Sequence, residues 1–168
     1  MSVFVLVHGL FQGGWIWKHT AQHLRAQGHT VYAPTLDGCG ERRHHVRHGI
    51  TIATQAEEIA DFMCYEDLRD VVLVGTSTGG LVVCKTAELA RERINRLVFV
   101  DALVPQPGEK VSDIVDSSKA SPMVTTELTM GATPDVAKTQ AFSDLEGEIR
   151  EWAVERYTMH PIEAYDAP

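Results

Sequence analysis

The run Val71-Val72-Leu73-Val74-Gly75-Thr76-Ser77-Thr78-Gly79-Gly80 constrains this chain more than any other segment. Its four leading apolar residues do not alternate with polar ones, so the stretch reads as a strand buried on both faces. A glycine-rich turn follows, and a helix-forming stretch leaves it. A bare G-x-S-x-G pattern carries little weight. Placed between a strand and a helix, it holds Ser77 at a sharp bend with its hydroxyl directed away from the sheet. The helix behind it opens with free backbone N–H groups, which can hold developing negative charge.

The rest of the chain repeats the same rhythm. Val3 to Val7 is a second non-alternating apolar strand, followed by a loop from His8 to Gly14. Ile16 to Gln27 reads as a helix with Ala21 and Leu24 inward, stopped by Gly28. Thr30 to Ala33 is a strand ending at Pro34, and Thr35 to Gly49 is a polar surface excursion. Ile52, Ala56, Ile59 and Met63 fall at helical spacing and mark a helix to about Glu66. Gly79 to Arg91 is a further helix, and Leu97 to Val100 a strand closed by Asp101. Strand-helix alternation specifies an α/β fold, a mostly parallel sheet covered by helices on both faces. The expected strand order is second, first, third, fourth.

Pro105, Pro107 and Gly108 mark a boundary, which divides the chain into a core over residues 1–110 and a helical segment over residues 111–168. Ser112 to His160 looks mostly helical. Ser143 and Glu146 have capping-box spacing, and Leu145, Ile149, Trp152 and Ala153 share one face of a helix ended by Pro161. This segment is expected to lie over the sheet as a cap.

A formal net charge of −8 argues against nucleic acid as a partner. No apolar run approaches the roughly 20 residues of a membrane span. Cys39, Cys64 and Cys84 form no C-x-x-C pair and read as reduced cytoplasmic thiols. His44, His45 and His48 invite a metal reading, but Arg42, Arg43 and Arg47 crowd them, and an exposed basic loop is the expectation.

Ligands of open α/β sheets sit at the carboxyl ends of strands. The loops His8-Gly9-Leu10-Phe11 and Thr76-Ser77-Thr78 therefore face each other if their strands are neighbours. The N–H groups of Leu10 and Thr78 then converge on one oxygen as an oxyanion hole. His8 reads as a packed loop residue rather than a base. Asp101, at the end of the strand beside Ser77, is a candidate acid or a plain loop carboxylate.

These runs, together with Gly13-Gly14-Trp15-Ile16-Trp17, Gly28 to Leu36, Gly40-Glu41-Arg42-Arg43-His44 and Val98 to Pro105, resemble the α/β-hydrolase superfamily. The likeness is to the branch of plant methyl-ester esterases, hydroxynitrile lyases and small bacterial esterases. The resemblance implies that Ser77 attacks an acyl carbon, that Leu10 and Thr78 supply the oxyanion donors, and that Phe11 and cap residues line the pocket. It also implies a carboxylic-ester hydrolase, with lactones and activated amides as alternative substrates, that needs no metal or organic cofactor.

Three departures qualify it. Relatives often carry His before the serine and an aromatic residue after it, where this chain has Thr76 and Thr78. Hydroxynitrile lyases tend to have Thr where Gly9 stands, which disfavours cyanohydrin cleavage. Relatives also have two further strands that carry the acid and the base histidine, so roughly 70 to 90 residues of a complete domain are expected beyond Pro168. His160 is the only histidine after Ser77 and reads as a polar helix-end residue. The base is therefore expected outside this chain. Pairing with a second polypeptide or a cleaved fragment is one expectation, and plain truncation is its rival. Two other functions stay open: a non-catalytic small-ligand receptor, and a lyase using the same serine.

Overall fold

The computed structural model describes residues 1–109, 111–115 and 123–166. Strands β1 (Val3–Val7), β2 (Thr30–Tyr32), β3 (Val71–Ser77) and β4 (Ile94–Ala102) form one parallel sheet in the order β2-β1-β3-β4. Helices α1 (Lys18–Ala26), α2 (Ile52–Tyr65) and α3 (Gly79–Leu89) connect them. The strand order is the one expected from sequence. β3 and β4 run longer than the apolar stretches alone indicated, because the ladder between them continues through Thr76 opposite Val100 and Ser77 opposite Ala102.

Why the apolar runs do not alternate is visible in the packing. In β1, Val5 and Val7 face a core built with α2 and α3, including Ile59, Met63, Leu73, Val82 and Val83. Leu6 between them faces a second core with Trp17, Ala21, Val31 and Val74. Both faces of the strand are covered, so every position must be apolar. Each such side chain contributes roughly 1.5–3 kcal/mol through burial.

Local signals set the helix limits. Thr51 caps α2, its side chain accepting from the Thr54 N–H while Thr54 reaches back to the Thr51 N–H. At the other end, the Arg93 guanidinium donates to the Met63 and Leu68 carbonyls, which lie at and just past the helix terminus. The first connection is a 3₁₀ turn over Gly14–Trp17 that leads into a shorter α1 than expected.

The segment after β4 corrects the sequence reading. Helices α4 (Val111–Ile114), α5 (Pro134–Val136), α6 (Gly147–Val154) and α7 (Glu163–Asp166) are present, with a π turn over Ala137–Ala141. They accompany an antiparallel sheet of β5 (Val124–Thr125), β6 (Thr129–Gly131) and β7 (His160–Pro161). The described residues of the segment are thus a mixture of short helices, strands and turns, and residues 116–122 lie outside the described ones. The N-cap position of α6 is Glu146 rather than Ser143, with no side-chain cap, and the helix ends at Val154, well before Pro161. Ala153 is buried on α6 and Trp152 half-buried, while Ile149 is 53% exposed.

β4 has a neighbour only on its β3 side among the described residues. Phe99 and Val100 on it are 38% and 45% exposed. No helix among the described residues is long and apolar enough to cross a membrane.

Candidate active site

β3 delivers Ser77 to the carboxyl end of the sheet with φ at +50°, a region that non-glycine residues seldom occupy. Thr78 returns to right-handed geometry, and α3 begins at Gly79. Ser77 is exposed and Thr78 buried. The Ser77 carbonyl accepts a hydrogen bond from the Leu103 N–H at 2.9 Å, which ties the bend to the segment following β4.

Glycines let the backbones close around this bend. A Cβ on Gly79 would stand 2.6 Å from the His8 carbonyl oxygen, and one on Gly80 2.1 Å from that of Leu103. The start of α3 therefore rests on the ends of two strands at once, main chain against main chain. On the opposite side, a Cβ on Gly9 would lie 2.7 Å from the Ser77 Cβ and 3.3 Å from its Oγ. The loop after β1 is pressed directly against the serine.

That contact sets the loops carrying Leu10 and Thr78 side by side. Leu10 follows Gly9 and Thr78 follows Ser77, so both belong to the two apposed loops. Phe11 has φ at +65°, and its ring packs on Tyr157 with centroids 5.3 Å apart. Its carbonyl accepts from the Thr158 N–H at 3.2 Å. Asp101 is exposed, with φ at +45°, one residue before the Ala102 that pairs with Ser77.

His8 is completely buried and both ring nitrogens are engaged. Nε2 accepts from the Leu36 N–H at 3.0 Å, which leaves the proton on Nδ1 to donate to the Gly9 carbonyl at 2.8 Å. Burial pushes its pKa down to about 4. A ring so committed positions the loop and has no free nitrogen for a serine proton.

The three comparisons with known proteins agree. Residues 4–167 match the model of the "Alpha/beta hydrolase family". This chain belongs to the alpha/beta hydrolase family. The chain is 40% identical over 111 residues to a carbendazim hydrolyzing esterase of Nocardioides sp. (strain SG-4G), covering 66% of this chain and 46% of that protein. It is 33% identical over 112 residues to methyl jasmonate esterase 1 of Vitis vinifera, covering 66% and 43%. It thus spans about half the length of the curated relatives it matches. Among solved structures, an extracellular alpha/beta-hydrolase from a Paenibacillus species superposes with a TM-score of 0.83 at 24% identity, over 98% of this chain and 69% of that one. That likeness establishes the shared fold.

His160 is not the helix-end residue expected from sequence. It lies on β7, is 2% exposed, and its Nδ1 is 3.5 Å from the Cys39 Sγ. Burial, with His8 nearby, pushes its pKa down to about 3. The Cys39 thiol is pushed up to about 12 by burial and by Asp37 and Glu58, so it stays protonated. Gln55 donates towards the same sulfur at 3.8 Å. This seam between the sheet's loops and the second layer was not legible in the sequence, because Cys39 and His160 are 121 residues apart.

The basic loop has specific tasks. Arg42 bonds the Thr35 carbonyl at 2.8 Å and pairs with Asp37 and Glu58. Arg47 pairs with Asp37 at 2.7 Å. His48 meets Glu163 at 2.8 Å and Glu127 at 3.5 Å. Those carboxylates raise its pKa, Glu163 chiefly through its hydrogen bond. Among the described residues, no three His, Cys, Asp or Glu side chains are grouped so as to hold a metal ion.

Proposed function

We propose that this chain carries the nucleophile and oxyanion-binding half of a serine carboxylic-ester hydrolase. The observation that supports it most is the strained, exposed Ser77 with the Gly9 main chain packed against it. In the proposed reaction, the Ser77 Oγ attacks the ester carbonyl. The Leu10 and Thr78 N–H groups hold the resulting oxyanion, each worth roughly 2.7–4 kcal/mol in the transition state. Collapse expels the alcohol and leaves an acyl-enzyme, which water hydrolyses. Phe11 and the layer above it, read as a cap, bound the acyl or leaving-group pocket. The esterase names of the relatives favour ester substrates.

A serine needs a base to take its proton. His8 is committed elsewhere and His160 is bound to Cys39, so the base is assigned to polypeptide outside residues 1–168, together with its acid. Asp101 stands as the alternative acid. The missing part docks along the open side of β4, as continuous chain, a cleaved fragment or a second polypeptide. The unpaired thiols of Cys39, Cys64 and Cys84 fit a reducing compartment such as the cytoplasm.

Fluorophosphonate labelling and turnover of short p-nitrophenyl esters test this in the complete protein. An adduct on Ser77, with turnover falling at least about a thousandfold in Ser77→Ala, is expected. An absence of both adduct and turnover would leave the ligand-receptor reading. Release of an aldehyde or ketone without consumption of water would identify a lyase.

A further inference from the structure

A cavity of about 760 Å³ opens between the loop after β2 and the second layer, and Ser77 is not among its lining residues. Its volume is that of a small-molecule site. Trp15, Tyr157 and Met159 supply apolar wall, and Thr129 and Thr158 supply polar edges. Four charged residues also line it: Arg43 and Arg156, Glu41 and Glu155.

The charges are not equivalent. Arg156 is partly spent: its Nη1 donates to the Trp152 carbonyl at 2.8 Å and pairs with Glu155 at 3.3 Å, with its guanidinium 5.1 Å from the Trp152 ring centroid. Glu155 is thereby partly neutralised. Arg42 and Arg47 on the same loop are paired with carboxylates. Arg43 has no carboxylate partner among the described residues. It is therefore an exposed fork of donors lining an aromatic-walled cavity, the arrangement that binds a planar anion. Glu41 is the one opposing charge without an ion-pair partner there.

We propose that this cavity binds a small organic anion with a flat apolar body, an aryl sulfonate or carboxylate. Arg43 grips the anionic group and Trp15 and Tyr157 flank the ring. The site is separate from Ser77 but mechanically joined to it. Tyr157 lies on Phe11, and the Phe11 loop contains the Gly9 that touches the serine.

Titration of the complete protein with benzenesulfonate, followed by tryptophan fluorescence and calorimetry, tests this, with benzenesulfonamide as the neutral comparison. Saturable binding is expected for the sulfonate and not for the sulfonamide. Arg43→Ala should weaken it by about tenfold or more, the worth of a charge-assisted hydrogen bond. Glu41→Gln should tighten it, by roughly twofold to fivefold at low salt, because a like charge is removed. Protein already labelled with phosphonate at Ser77 should bind it equally well. No saturation at millimolar concentration, indifference to both substitutions, or loss of binding on Ser77 labelling would overturn the proposal. The titrations of wild type, Arg43→Ala and Glu41→Gln do not depend on Ser77 reactivity; only the labelling arm does.

Discussion

Acidification should destabilise this protein through two buried imidazoles. His8 and His160 have pKa values pushed down to about 4 and about 3 in the folded state, against 6.5 in the open chain. Below pH 6.5 the unfolded chain therefore binds more protons than the folded one, and stability rises with pH. The contribution is complete above about pH 6.5 and is lost as the pH falls towards 4 for His8 and 3 for His160. At pH 5 each imidazole withdraws on the order of 2 kcal/mol, at about 1.4 kcal/mol per pH unit. The pair removes on the order of 4 kcal/mol, a large share of a typical domain's stability. Equilibrium urea unfolding at pH 8, 6.5 and 5 measures this. With a slope of roughly 2 kcal/mol per molar, the wild-type midpoint should fall by about 2 M between pH 8 and pH 5. His160→Asn, which keeps a polar atom near Cys39 but cannot titrate, should start lower at pH 8 and lose only about half as much. Carboxylates titrate in both proteins, so their effect cancels in the comparison. Parallel pH profiles for the two proteins, or a wild type that gains stability on acidification, would refute the reasoning.

Other expectations follow from contacts already described. Gly80→Ala puts a methyl group 2.1 Å from a backbone oxygen that cannot swing aside. It should cost about 3 kcal/mol or more, lower the melting temperature by roughly 6–12 °C, and slow phosphonate labelling of Ser77. Thr51→Ala removes one half of the α2 capping box and should cost about 1 kcal/mol in urea unfolding, with Thr51→Ser restoring most of it. Arg42→Gln separates the loop after β2 from Glu58 and the Thr35 carbonyl. Amide exchange across residues 35–49 should quicken by an amount on the order of 1 kcal/mol, while the core strands stay protected.

The sheet was legible because each strand announces itself locally. Val3 to Val7 and Val71 to Val74 are apolar at every position, and the packing shows why, with successive residues filling different cores. The bend at Ser77 was legible for a similar reason, since Gly75, Gly79 and Gly80 mark main-chain contacts that admit no side chain. The second layer was not. Its strands are two or three residues long, too short to show a period, and β6 finds β7 only through a partner about thirty residues away. His160 looked peripheral because Pro161 follows it. In fact its surroundings come from Cys39 and Phe11, which precede it by more than a hundred residues. The Thr51 cap escaped notice because Thr54 fills a position where Glu or Gln is the usual signal.

The seating of α3 on the ends of β1 and β4 has a consequence for how such a protein can change. The serine's location is dictated by carbonyls and α-carbons, which every residue type shares apart from the few glycines at the contact. The residues around it can then be exchanged over generations without moving the serine hydroxyl. New preferences for one compound over another should arise by altering the overlying layer and the Phe11 loop. The hinge between strand and helix can stay as it is while they change.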